Sequence, residues 1–290
     1  MIAAMLSLAF LAQVVRITIP YAMAALGGSL TERSGVVDLA LEAKLLVGAF
    51  TAAVVAHATG SVALGIAGGA AGGAAVAALQ AACVLRLGAD QVVVGVALNL
   101  AAVGLTRYLL EVLYGSSANS PPVPGVGGAV AANPILWIAA AAAIAVPVAV
   151  SRTRFGLRLR AAGDRPEALA AAGVSVERVR LLALLAGGAI AGIGGAQLSL
   201  AVSGFSADMS SGRGYIALAA VILGGWRPAR AALACLGFGL AEAIVIQLQL
   251  HAGGFPRELA QLLPYGLTLA VLALAMARSR PPAALGKAAE

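Results

Sequence analysis

Charge is scarce in this 290-residue sequence: only 11% of its residues are Asp, Glu, Lys or Arg, against about 25% in ordinary soluble domains. So few charges cannot cover the surface of a soluble chain this long, which excludes a water-facing globular protein. Histidine occurs twice, as His57 and His251, and neither has companion ligands at metal spacing, so a metal-dependent enzyme is poorly supported. Cysteine also occurs twice. Cys83 and Cys235 lie in apolar stretches and read as inert buried thiols rather than a disulfide or metal pair. No Gly-x-x-x-x-Gly-Lys-Ser/Thr run is present, so nothing here cradles a nucleotide phosphate. Serines are plentiful, but none has a recognisable base. A signal peptide is not expected, because no basic region precedes Ala22-Met23-Ala24 and Arg16 interrupts the apolar run.

What is present is apolar. Hydrophobic residues make up 61% of the chain, and 36 glycines accompany them. Lipid is the solvent that fits this composition, and small residues let helices in lipid approach closely. The net charge of +7 is placed unevenly: seven arginines fall within residues 152–180, and Arg278, Arg280 and Lys287 sit in the tail. That clustering matches the positive-inside bias of membrane proteins. No basic stripe is interleaved with aromatics, which argues against a nucleic-acid partner.

A hydrocarbon core of about 30 Å takes roughly 20 helical residues. Apolar runs near 2–28, 35–56, 61–85, 90–113, 134–150, 181–203, 214–225, 231–250 and 262–277 predict an all-α, polytopic transmembrane bundle of about nine segments. It is read as one domain spanning 1–290. Placing the Arg-rich loop and the tail inside puts Arg33, Arg86, Arg227 and Arg230 inside as well, with the N-terminus outside. The connection 114–133, which has no Lys or Arg, then falls outside. The run 214–225 is only about 18 Å of helix and follows the irregular stretch Ser203–Asp208. It reads either as a half-helix beside a wet path or as a short helix at a thin spot. Gly65, Gly69 and Gly73, Gly68 with Gly72, and Gly188 with Gly192 predict helix-on-helix faces within the chain. Arg33–Ala40 weakly echoes Gly212–Ala219, a hint of two related halves.

Charges inside the spans should pair or face water. Asp38 and Glu42 are read as sharing one face of a helix starting at Gly35, and Arg107 with Glu111 as an i,i+4 ion pair. Asn99, mid-segment, either joins two helices or touches a polar solute. Gln13, Arg16 and Thr18 are further candidates for a polar path, whereas Gln247, Gln249 and His251 read as a helix end.

The loop at about 151–180 is the most informative. Asp164 is placed to cap a helix, with Pro166 in its first turn and Glu167 completing a capping box. Gly173 then ends it in a left-handed conformation, and Ser175 with Glu177 start the next helix. A two-turn helix is unstable alone. Its small apolar side chains, Ala168, Leu169, Ala171 and Ala172, suit a shallow groove on another protein; the alternative is a helix resting on its own membrane domain.

Glu167-Ala168-Leu169 followed by Gly173 resembles the coupling loop of permease subunits of ATP-binding-cassette importers. Four stretches in order support a resemblance to the branched-chain-amino-acid/ribose-type permease family, in its nucleoside or simple-sugar branch. They are Glu32–Glu42, Gln91–Leu100, Gly212–Gly224 and Leu263-Pro264-Tyr265. Asp38-Leu39-Ala40-Leu41-Glu42-Ala43 departs from the family's Asn-Ile-Gly-x-Glu-Gly, Lys44 stands where an apolar residue is normal, and longer relatives begin with an extra helix. The resemblance implies a type II importer-like fold in a bacterial inner membrane. It also implies that Asp164, Pro166, Glu167, Ala168, Leu169, Ala172 and Gly173 contact an ATPase with two cassettes. That partner would bind ATP and Mg; this chain would carry no cofactor and no catalysis. A second permease subunit and an extracytoplasmic substrate-binding lipoprotein complete the implied assembly. The competing reading is an ion-coupled carrier using Asp38, Glu42 or Glu242.

Overall fold

The computed structural model describes residues 7–126, 128, 130–251, 266 and 280–287. Among these, the regular elements are helical, apart from an isolated bridge between Asn119 and Ser206. Helix α1 is Leu8–Arg33, α2 is Leu41–Thr59, and α3 is Val62–Ala81, continued by a π-helical turn over Ala82–Arg86. Next come α4 (Gln91–Tyr114), α5 (Pro134–Arg152), α6 (Arg154–Asp164) and α7 (Pro166–Ala171). The series closes with α8 (Val176–Ala201), α9 (Arg213–Leu223) and α10 (Pro228–His251). Seven of these are long and apolar enough to cross a membrane, α3 counted with its π-helical turn. That makes the chain a multi-pass membrane protein, since a helix satisfies its own backbone in lipid. Of the about nine runs expected, 214–225 is too short to span, and 262–277 lies outside the described residues except for position 266.

Local chemistry sets the helix starts. Side chains of Ser7, Ser61, Asp90, Asn133 and Ser175 each accept from a first-turn N–H, supplying acceptors for donors that have no intrahelical partner. The bundle centres on α8, against which α1, α2 and α3 pack. Glycines set that closeness. A Cβ on Gly48 would lie 2.6 Å from the Gly192 Cα, and one on Gly188 would lie 2.5 Å from the Gly73 carbonyl oxygen. Gly68 and Gly72 face Thr51 and Val55 of α2, while Gly65 faces Ala52 and Ala56. The glycine faces expected from spacing therefore pack within the chain.

Two local expectations are corrected. The second span begins at Leu41 rather than near Gly35, because Gly35 takes φ +95° and residues 36–38 are irregular. The echo between 33–40 and 212–219 does not extend to conformation, since the first stretch is mostly irregular and the second mostly helical.

Candidate functional site

Two regions concentrate polar chemistry: a junction where α2, α4 and α9 meet and the loop at the basic end. The junction starts with α9, whose 11 residues make about 16 Å of helix. Residues 202–212 lead into it without helix, and the protein satisfies their backbone. Ser120 N–H donates to the Phe205 carbonyl at 2.8 Å, Val123 to Ser203 at 3.0 Å, and Ala207 to Ala118 at 2.8 Å. Phe205 is buried edge-on against Phe50. Irregular backbone at membrane depth persists under such enclosure.

The α9 N-terminus lies on Glu42. Gly212 and Gly214 N–H groups donate to the Glu42 carboxylate at 2.8 and 2.6 Å. Glu42 also sits in the first turn of α2, so one carboxylate serves the positive ends of two helices. Asn99 completes the junction. Its Oδ1 accepts from Ala43 N–H at 2.9 Å, in the first turn of a helix whose own N-cap, Ala40, offers no side-chain acceptor. Its Nδ2 donates to the Leu39 carbonyl at 2.8 Å and to the Tyr215 hydroxyl at 3.0 Å. Asn99 thus joins α2, α4 and α9, the structural member of its two readings. Replacing Glu42 with Leu should leave two enclosed donors without acceptors. At about 1–3 kcal/mol each, the expected loss is about 2–6 kcal/mol, with Glu42→Gln intermediate, read as thermal unfolding in detergent.

Two residues along α2 from Glu42, Lys44 Nζ contacts both Asp38 carboxylate oxygens at 2.6 and 2.7 Å, with both side chains fully buried. Asp38 therefore faces Lys44 and does not share a helical face with Glu42. The two departures from the family pattern at 38 and 44 pair with each other, replacing an amide and an apolar residue by an ion pair. Glu32 accepts from the Trp226 indole N–H and the Asp38 backbone. Glu242 accepts from Arg213 at 3.1 Å and from the Tyr21 hydroxyl. Arg107 pairs with Asp208 rather than with Glu111, because the irregular segment before α9 brings a carboxylate to it. Such a long-range pairing leaves no spacing signal in the sequence.

Of the other path candidates, Thr18 bonds back to the Val14 carbonyl at 2.8 Å and is buried. Gln13 accepts from Gln247 at 3.2 Å, joining α1 to α10. Arg16 donates to the Gly128 carbonyl. Gln13 and Arg16 line a cavity of about 830 Å³ with other residues of α1 and with Leu136 and Trp137 of α5. His57 stacks edge-on with Tyr114, and both cysteines are free thiols.

At the other end Arg33, Arg160 and Arg227 cluster. Here α6 continues to Asp164, and the break falls at Arg165 (φ −148°, ψ 71°), whose side chain makes no cap. The expected Asp164 cap is therefore absent. Pro166 disfavours helical geometry in the residue before it, which moves the boundary one residue along. Pro166 does open α7, and Gly173 (φ +75°) does close it. Gly173 N–H donates to Ala170 at 2.9 Å and Val174 N–H to Leu169 at 3.2 Å, the paired bonds of a Schellman end. Leu169 is 6% exposed and packs with Leu159, Val179 and Ala183, whereas Glu167, Ala168, Ala171 and Ala172 are exposed. The helix rests on its own domain through Leu169 and turns its small side chains outward.

The described residues thus form a multi-helix membrane bundle with an 11-residue helix that starts on a buried carboxylate and a short helix that rests on the bundle through Leu169. The profile described as branched-chain amino acid transport system / permease component matches residues 10–272, and the chain belongs to that family. It is 33% identical over 296 residues to the nucleoside ABC transporter permease protein NupC of Lactococcus lactis, covering 92% of each chain. It is 31% identical over 292 residues to the guanosine ABC transporter permease protein NupQ of Bacillus subtilis, again over 92% of each. The glucose ABC transporter permease protein TsgB13 of Haloferax volcanii is 26% identical over 282 residues, 88% of this chain and 72% of that one. No solved structure matches. As a member of a family of permease components, the chain is not itself the catalyst.

Proposed function

We propose that this chain is the permease subunit of an ATP-binding-cassette importer for a small polar solute, a nucleoside or a sugar. The names of its relatives support the solute class. The basic end is cytoplasmic in a bacterial inner membrane, as the positive-inside bias favours. A separate ATPase with two cassettes binds ATP and Mg and grips α7; a second permease subunit and a substrate-binding lipoprotein complete the assembly.

One observation carries the coupling role. Leu169 is the one buried residue of α7, with Glu167, Ala168, Ala171 and Ala172 open to a partner. The ends of its lever are Asp164 with Pro166 and Ala172 with Gly173. On the solute side, the cavity beside Gln13 and Arg16 offers an entry, with Thr18 deeper on α1 and Asn99 supporting the junction where α9 begins. An ion-coupled carrier is less well supported. Asp38, Glu42 and Glu242 each already hold an internal partner.

Gly173 supplies the test. No atom lies within 4 Å of a Cβ built there, so Gly173→Val meets open space at its Cβ. Its cost is the left-handed backbone, about 1–2 kcal/mol, enough to unwind a helix this short. The variant should reach the membrane in normal amount while guanosine or glucose uptake falls at least about tenfold. Undiminished uptake sinks the coupling role. Uptake by the purified chain alone in liposomes, driven by an ion gradient, sinks the importer reading.

A further inference from the structure

Arg180, in the second turn of α8, is 1% exposed and is among the largest fully buried side chains of the protein. Its guanidinium contacts backbone carbonyls from two remote segments. Nε donates to Ser34 at 3.2 Å and Nη1 to Lys287 at 3.3 Å. Nη2 has no hydrogen-bond partner among the described residues and lies 3.0 Å from where a Cβ on Gly35 would stand. Ser34 caps the C-terminus of α1, so the negative end of that helix faces the cation.

Residues 280–287 form a strap across the same place. Ala284 N–H donates to the Gly163 carbonyl at 2.8 Å, and Gly286 N–H donates to Gly35 at 3.1 Å. Ala284 is 4% exposed, and Leu285 packs at the edge of the apolar cluster around Trp226. Gly163 is the next-to-last residue of α6, just before α7. Gly35 opens the irregular segment that leads to Asp38, to α2 and so to Glu42, where α9 is held.

We propose that Arg180 is a positioning residue for coupling. With the 280–287 strap it clamps the base of α7 to the segment feeding α2, so that displacement of α7 reaches the Glu42 junction. A planar guanidinium that bonds two carbonyls fixes both distance and direction. Without it, the turn at Ser34 and Gly35 can yield and absorb the motion. This inference rests on the coupling reading of α7.

The test uses the intact transporter, purified through a tag on this chain and reconstituted in liposomes, with guanosine and glucose as probes. Uptake and ATP hydrolysis are measured in the same preparation. Arg180→Lys keeps the charge and loses the fork, Ala284→Pro removes the donor to Gly163, and a stop after Ser279 removes the strap. Each variant should retain its ATPase and hydrolyse ATP, while solute moved per ATP falls at least tenfold. An unchanged ratio in any variant that assembles overturns the proposal, as does loss of the ATPase from all three, which marks a purely structural role. Ala284→Pro and the truncation carry the test if Arg180 variants fail to fold. If Gly173→Val uncouples and the strap variants do not, this proposal alone falls. If Gly173→Val is also coupled normally, the reading of α7 falls with it.

Discussion

Gly192→Val is expected to abolish folding of the bundle. Three helices meet at this glycine: α8 carries it, a Cβ on Gly48 of α2 would lie 2.6 Å from its Cα, and one on Gly73 of α3 would lie 2.7 Å away. In the opposite sense, a Cβ on Gly192 would run into the Gly69 carbonyl and lie 3.0 Å from the Gly73 Cα. The atoms met are backbone, so no rotamer change relieves the clash and the helices must separate. Overpacking a core by a methylene costs about 1–3 kcal/mol; here whole helix faces part, and the loss should exceed that range. Lipid supplies no hydrophobic force to draw the helices back together, because association depends on the close packing itself. Size-exclusion chromatography in detergent should show aggregate or no folded protein. Gly104→Ala is the control, since nothing lies within 4 Å of a Cβ there, and it should behave as wild type. A monodisperse Gly192→Val protein with unchanged melting would show that the glycine contact is dispensable.

Lys44→Leu is the second large effect. Asp38 and Lys44 are both fully buried and contact each other through two short bonds. Removing one member leaves an uncompensated charge, a loss of about 3–5 kcal/mol. Removing both is different. Asp38→Asn with Lys44→Leu restores the amide and apolar residue of the family pattern, and the double variant should recover most of the melting temperature. Non-additivity is the diagnostic, because contacting residues couple and distant ones do not. A double variant whose loss equals the sum of the two single losses would mean that the pair contributes no such coupling. Gain of uptake driven by an ion gradient in either variant would reopen the carrier reading.

The pairing at 38 and 44 illustrates what was legible in advance. The departures from the family pattern at Asp38 and Lys44 were visible residue by residue, but their partnership was not. It depends on the chain between Gly35 and Ala40 leaving the helix, and a positive φ at one glycine decides that. Reading the span as a helix from Gly35 placed Asp38 beside Glu42, whereas the irregular segment places it against Lys44. Arg107 failed as a local pair for the same kind of reason, since its partner Asp208 lies in the irregular segment that follows α8 in sequence. The Asp164 cap failed for a local one: Pro166 acts on the residue before it, and that preference prevailed over the capping pattern.

Composition, run length and the position of arginines determined by themselves that this is a membrane bundle with one basic end. Those properties follow from the solvent and need no knowledge of contacts. Glycine spacing determined which faces pack, and the Pro166–Gly173 interval determined a short helix with a defined end. Tertiary structure alone decided what each polar residue does. Glu42, Asn99, Arg180 and Asp38 each act through a partner distant in sequence or across a break in the helix. In a bundle whose helices are apolar on nearly every side, no periodic pattern announces such partners. Only the packing that brings the α9 N-terminus to Glu42, and the strap to Arg180, shows where the polar groups meet.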